Sequence, residues 1–330
     1  MTRKKEGQMK VQELFKQLVS AAQAQEVSDI YFLVDGEEYV VKFKEIAGLS
    51  TYRRMQLDLG GELINYLKYH ARMDITEHRR PQVGSFQLPE KSCYLRLSSV
   101  GDFHGRESLV VRIIYRMRAS KYFFPTDFTR LVEVCQGRGL VLTSGPTGSG
   151  KTTLMYQLAR EVGQDKMVMC MEDPVEIEEP SFFQTQINLG AGITYPELLK
   201  AALRHRPDIL IIGEIRDSVT AQLAVRASLS GHLVLATIHA MSTKGTVMRL
   251  LELGVSELEL INALRGLTYQ RLIKSTDDEL NCLIDVGSGP DLMQVIEQPE
   301  QGFFTWSARL TQLMEEGKLS EQNAASFEFG

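Results

Sequence analysis

The sequence predicts an α/β domain with a mainly parallel sheet, preceded by a small α+β domain and followed by a mostly helical C-terminal region. Three observations carry this. From about residue 126, short apolar runs alternate with segments of helical spacing, the pattern of strand–helix units in a parallel sheet. At residues 139–163 an apolar run, a glycine-rich turn and a helical segment follow one another. Before residue 116 the chain shows alternating segments and two helical stretches instead, which marks a separate, smaller fold. The implied division is a small α+β domain at 1–115, a linker at 116–128, the α/β domain at 129–275 and the C-terminal region at 276–330. A length of 330 residues suits about two domains.

In the first domain, a helix over 9–25 places Leu14, Phe15, Leu18, Val19 and Ala22 on one face. Strands at 30–34 and 39–43 flank the turn Asp35-Gly36-Glu37. A helix over 53–71 carries Leu57, Leu63, Ile64 and Leu67, and segments 84–88, 93–99 and 108–114 alternate as strands do. The polar, basic stretch 116–121 is the linker, with Phe123-Phe124-Pro125 as an anchor after it. The α/β domain has strands at 139–144, 167–172, 182–188, 208–213 and 232–238, and helices at 152–163, 195–204, 218–229 and 243–252. From Ser256 onward the pattern is mostly helical, with one short strand at 281–286.

Composition excludes several classes. Hydrophobic residues make up 43% and charged residues 24%, ordinary for a soluble globular chain. No apolar run approaches the roughly 18 residues a membrane span needs. The basic N-terminus lacks the apolar core of a signal peptide, so a cytoplasmic location is expected, with any membrane contact peripheral and through a partner. A net charge of −5 argues against a whole-surface nucleic-acid binder and leaves only a local basic patch open, and no direct nucleic-acid partner is expected. Cys93, Cys135, Cys170 and Cys282 are far apart, so neither zinc nor a disulfide framework is expected.

The chemistry starts at Gly145-Pro146-Thr147-Gly148-Ser149-Gly150-Lys151-Thr152-Thr153, which has the P-loop form G-x-x-x-x-G-K-[ST]. Its glycines let successive backbone N–H groups face one anion. Lys151 reaches the β- and γ-phosphates of ATP, and the Thr152 hydroxyl ligates Mg²⁺. The apolar run 208–213 ends in Gly213-Glu214, which puts a carboxylate at the metal and the attacking water; otherwise this is a strand leaving into a polar loop. Glu172, Asp173 and Glu176 crowd three carboxylates together, as a solvated turn or as a group held by a metal or water network. Glu172 and Glu214 would reach the metal through water. His232 and His239 bracket a strand of the same sheet, either structurally or as sensors of the γ-phosphate.

The ordered set of P-loop, Glu172-Asp173-Pro174-Val175-Glu176, Gly213-Glu214-Ile215-Arg216-Asp217 and the 231–239 segment resembles the traffic ATPases of type II secretion, type IV pilus and DNA-uptake systems. Upstream, Ser28-Asp29-Ile30 resembles that family's SDIH element, with Tyr31 in place of His. Asp74-Ile75-Thr76-Glu77 with Arg80-Pro81-Gln82 resembles its DIAE…RPQ-G element. Arg96-Leu97-Ser98 and Val110-Val111-Arg112 resemble its R-x-S … V-x-R segment. The resemblance implies a RecA-like ATPase domain, a homo-hexamer and an inner-membrane platform protein as partner. It also implies that Glu214 orients water with support from Glu172 and Asp173, that His239 sits near the γ-phosphate, and that Arg96 and Arg112 serve as arginine fingers. An ordinary strand-surface salt bridge is the alternative for the two arginines. The first domain begins near residue 10 and no paired cysteines follow the second histidine. Both features are similar to the short, zinc-free members that assemble a competence pseudopilus. A retraction or secretion-type motor, a nucleic-acid translocase and a silent ATP-binding scaffold are the other readings.

Overall fold

The computed structural model describes residues 2–45, 48–88, 93–117, 119–188, 191–300 and 302–330. Met1 of the basic N-terminus and Arg118 of the linker lie outside the described residues. The chain divides into two compact units, Met1–Arg116 and Met117–Gly330.

The first unit is an antiparallel sheet of six strands with two helices. The strands are β1 (Asp29–Asp35), β2 (Glu38–Glu45), β3 (Gly48–Gln56), β4 (Gln82–Leu88), β5 (Cys93–Gly101) and β6 (Glu107–Ile114), in the order β3-β2-β1-β6-β5-β4. Period-two burial is clear in β5, where Cys93, Leu95, Leu97 and Ser99 point inward. Helices α1 (Thr2–Ala24) and α2 (Leu57–His70) pack Phe15, Leu18, Leu63 and Leu67 against Phe32, Phe43, Leu95 and Val111. The expected helix over 53–71 is corrected at its start. Residues 53–56 belong to β3, where Arg53 pairs with Val41 and Gln56 with Glu38. An edge strand exposed over most of its length needs no apolar alternation, so its sequence carries no strand period.

The second unit is built on a seven-stranded sheet in the order β13-β12-β7-β11-β10-β8-β9. Its strands are β7 (Gly139–Ser144), β8 (Val168–Glu172), β9 (Phe183–Gln186), β10 (Ile209–Ile215), β11 (Leu233–Ile238), β12 (Leu264–Lys274) and β13 (Leu280–Ser288). All pairings are parallel except β12 with β13. β7, β8 and β11 are buried along their whole length, because helices cover both faces. On one face lie α3 (Pro125–Val134) and α4 (Lys151–Val162). On the other lie α5 (Tyr195–His205), α6 (Ser218–Leu229), α7 (Gly245–Glu252), α8 (Glu257–Ala263) and α9 (Pro290–Glu297). α10 (Trp306–Glu315) and α11 (Glu321–Ser326) close the chain around Trp306, Leu310 and Leu313.

Two expectations fail here. Residues 264–288 are not mainly helical but form the two long strands β12 and β13, which extend the sheet past β7. β12 is flanked on both edges and buried through most of its length, so it shows no period of two, and Arg265, Arg271 and Lys274 break up its apolar run. The linker is also shorter than 116–128: Tyr122 already bridges to Cys282, and Pro125 begins α3. No described helix is long and apolar enough to cross a membrane.

Candidate active site

The parallel strands β7, β8, β10 and β11 all point their carboxyl ends toward one edge of the sheet, where ligands bind in such folds. β7 ends at Ser144 and the chain turns through the P-loop into α4. Gly145 has φ +140°, and a Cβ there would lie 2.6 Å from the Gln270 carbonyl oxygen. Gly150 has φ +84° and caps α4 with no side-chain acceptor among the described residues. The unpaired N–H groups of the first turn of α4 therefore face the loop, and the helix dipole adds partial positive charge there.

Lys151 Nζ donates to the carbonyls of Gly145 and Pro146, 2.9 Å each. Burial lowers its pKa, and the nearby Glu214 and Glu176 oppose that shift. Gln270 Nε2 donates to the Ser149 carbonyl at 2.6 Å and holds the loop from β12. Ser149 Oγ is buried with no partner among the described residues. An orphaned hydroxyl, a lysine resting on loop carbonyls and an uncapped helix start together fit a triphosphate.

The carboxylates come from neighbouring strand ends. The Thr152 hydroxyl donates to Glu176 Oε2 at 2.9 Å. Glu214, near the end of β10, lies 3.0 Å from His239 Nε2 through Oε1 and 2.6 Å from Arg216 Nε through Oε2. Arg216 also lies 3.7 Å from Asp173. The glycine before Glu214 has a packing reason: a Cβ on Gly213 would press to 3.1 Å from the Glu172 side chain. Thr237 Oγ1 donates to the Gly213 carbonyl at 2.6 Å and ties β11 to β10 at this point.

Glu172 is held differently from its neighbours. It is 1% exposed, and the buried Tyr156 hydroxyl donates to its Oε1. Gln184 Nε2 donates in turn to the Tyr156 oxygen at 2.8 Å. Burial pushes the Glu172 carboxyl up to about 7, against the Tyr156 bond, which lowers it. Glu176, not Glu172, is thus the carboxylate that meets Thr152. Hydroxyl and carboxylates at this mouth suit Mg²⁺, which keeps waters and takes few protein ligands beside phosphate.

A cavity of about 530 Å³ gathers these groups, lined by Lys151, Thr152, Glu172, Asp173, Glu214 and His239 among others. His232 is a correction. It precedes Leu233 at the amino end of β11, whereas His239 follows Ile238 at the carboxyl end. At about 3.3 Å per residue, seven steps put the two backbone positions roughly 23 Å apart along the strand. The His232 Nδ1 instead lies 3.0 Å from the Ala227 carbonyl, and the side chain borders a separate cavity with Arg138 and Asp208.

Arg96 and Arg112 belong to the first unit, where they are directly opposed on β5 and β6. Arg112 Nε pairs at 2.7 Å with the buried Asp29 on β1. The site also uses residues the sequence reading gives no role: Tyr156, Gln184, Arg216, Thr237 and Gln270. Arg216 lies within the quoted acidic motif, and Tyr156 lies on the inner face of the helix that Lys151 begins, so both leave a signal. Gln270 leaves none, because its strand is not legible.

Comparison with known proteins gives a family and a fold. A family model described as "Type II/IV secretion system protein" matches residues 4–313. The chain is 39% identical over 319 residues to Competence protein ComGA of Streptococcus pneumoniae, covering 95% of this chain and 97% of that protein. It is 34% identical over 294 residues to the Type IV pilus assembly ATPase PilB of Thermus thermophilus, covering 86% of this chain but 32% of that protein. Its fold resembles that of the Legionella pneumophila ATPase DotB with a TM-score of 0.73 at 20% identity, covering 95% of each chain.

Proposed function

Because the chain belongs to the type II/IV secretion system protein family, we propose that it is the hexameric ATPase motor that powers assembly of a competence pseudopilus for DNA uptake. The convergence of Lys151, Thr152, Glu214 and His239 on one cavity at the carboxyl edge of the parallel sheet carries the ATPase part of this reading. Similarity to a competence protein over nearly the full length of both chains supports the biological role.

The second unit acts as a RecA-like ATPase domain. The P-loop N–H groups and Lys151 bind the β- and γ-phosphates and stabilise the charge that develops on the transferring phosphoryl group. Thr152, beside Glu176 and Glu214, would hold Mg²⁺, which neutralises the phosphate oxygens. Glu214 orients the attacking water, and its bonds to His239 and Arg216 fix both of its oxygens. Glu172 and Asp173 support that water network. Arg96 and Arg112 serve as arginine fingers. Six copies form a ring at the inner face of the cell membrane and pass their motion to an inner-membrane platform protein, with no direct contact to nucleic acid.

The test joins turnover to phenotype. The purified chain hydrolyses ATP with Mg²⁺, and Lys151→Ala lowers turnover by about 10²–10³, the loss expected for one preorganised contact. A deletion strain loses pseudopilus assembly and DNA uptake, and the wild-type chain restores both while the Lys151→Ala chain does not. Normal DNA uptake in the deletion strain, with a defect in protein secretion instead, would show the competence role to be wrong. Pili that form but fail to retract would point to a retraction motor.

A further inference from the structure

The loop that follows His239 is anchored to β13 and to the start of α10 by a buried cluster of hydrogen bonds. His239 is half exposed and, among the described residues, makes one ion-pair contact, to Glu214, so its position depends on its backbone. That backbone leaves β11 at Ile238, passes the exposed Met241 and is next fixed at the buried pair Ser242 and Thr243. The Thr243 hydroxyl donates to Oδ2 of Asp285 on β13, and both residues are fully buried. Asp285 also accepts from Phe304 N at 2.9 Å, Thr305 N at 2.6 Å and Thr305 Oγ1 at 3.0 Å. Its donors are therefore two hydroxyls and two backbone N–H groups, drawn from the His239 loop on one side and the start of α10 on the other.

Neighbouring bonds repeat this connection. Ser242 Oγ accepts from Gly245 N and Gly302 N, 3.1 Å each. Lys244 N donates to the Gly302 carbonyl at 3.0 Å, and Lys244 Nζ pairs with Glu300 at 2.5 Å. Beyond Thr305, the Trp306 indole donates to the Phe327 carbonyl at 2.7 Å, which ties α10 to the C-terminal end of the chain. A buried carboxylate with every donor in place is stiff, because each missing partner leaves charge without solvation.

We propose that Asp285 and Thr243 are positioning residues for ATP hydrolysis: they hold His239 against Glu214 from the C-terminal helices, so the setting of those helices sets turnover. This rests on the reading of His239 as a γ-phosphate-side group. The rival explanation is that Asp285 only anchors the start of α10.

A double-mutant cycle on the full chain separates the two. Thr243→Val keeps the side-chain shape and removes the hydroxyl. It lowers kcat by about 10- to 100-fold, the scale of a displaced catalytic group, and leaves KM for ATP unchanged. Thr243→Ser restores turnover. In a His239→Ala background, Thr243→Val costs less than about twofold, since the group it positions is already gone. The same fold loss in both backgrounds overturns the proposal, and so does wild-type kcat in Thr243→Val. If His239→Ala alone hydrolyses normally, both this proposal and the role of His239 fail; if His239→Ala is slow while Thr243→Val is normal, only this proposal fails. Should Thr243→Val not fold, Thr305→Val, which removes the one side-chain hydroxyl among the three Asp285 bonds from the α10 side, carries the same cycle and is read the same way.

Discussion

Replacing Glu172 with Gln should remove the loss of stability that the wild-type second unit suffers as pH rises, while making the enzyme slower. The folded carboxyl titrates at about 7 against an ordinary 4.5, with burial as the main cause. In the unfolded chain the proton leaves near 4.5; in the folded chain it stays until about 7. Between those values the folded state binds more protons, so stability falls as pH rises, by about 1.4 kcal/mol per pH unit. The loss is absent below about pH 4.5 and complete above about pH 7, roughly 3 kcal/mol in all. Glu172→Gln cannot titrate, and its amide oxygen can still accept from Tyr156. Any mismatch at the amide nitrogen shifts the curve by a constant and leaves its slope alone. Urea melts at several pH values, followed by fluorescence of the single tryptophan, Trp306, report on the second unit because that residue is buried there. The stability of the variant minus that of the wild type should climb between pH 5 and 7, then level off. Parallel curves would refute the burial argument for Glu172. A gain in stability with no loss of turnover would make Glu172 a structural residue.

Three further outcomes follow from the same geometry. Glu214→Gln should keep ATP binding and lose hydrolysis, because the charge that orients water is removed while the shape stays; equilibrium binding beside single-turnover measurements checks this. His232→Ala should hydrolyse ATP within about twofold of wild type, since distant sites act independently; a large loss in steady-state turnover would place His232 back at the phosphates. Arg112→Ala should lower turnover of the assembled ring toward the ~10³–10⁵ of an arginine finger. If turnover stays normal and the first unit melts earlier, the Asp29 ion pair is its whole role.

What was legible in the sequence follows from how local each requirement is. The P-loop is readable because its pattern lies within eight consecutive residues, and the acidic and glycine-containing motifs at the ends of β8 and β10 are likewise continuous in sequence. The Asp285 cluster has no such signature: its donors come from residues 243 and 304–305, and only the folded sheet brings them together. Likewise β12 hides its strand character, because burial on both faces removes the alternation that would reveal it.

The histidines make the sharper case. In sequence, His232 and His239 look equivalent, one on either side of an apolar run. In a parallel sheet they are not, because every strand runs the same way and only carboxyl ends meet at the ligand edge. The P-loop after β7, Glu172 at the end of β8, Glu214 near the end of β10 and His239 after β11 all satisfy that polarity. His232, at an amino end, does not. Strand direction was implied once the P-loop fixed which end of β7 binds phosphate, so the alternation of strands and helices already contained the reason to separate the two histidines.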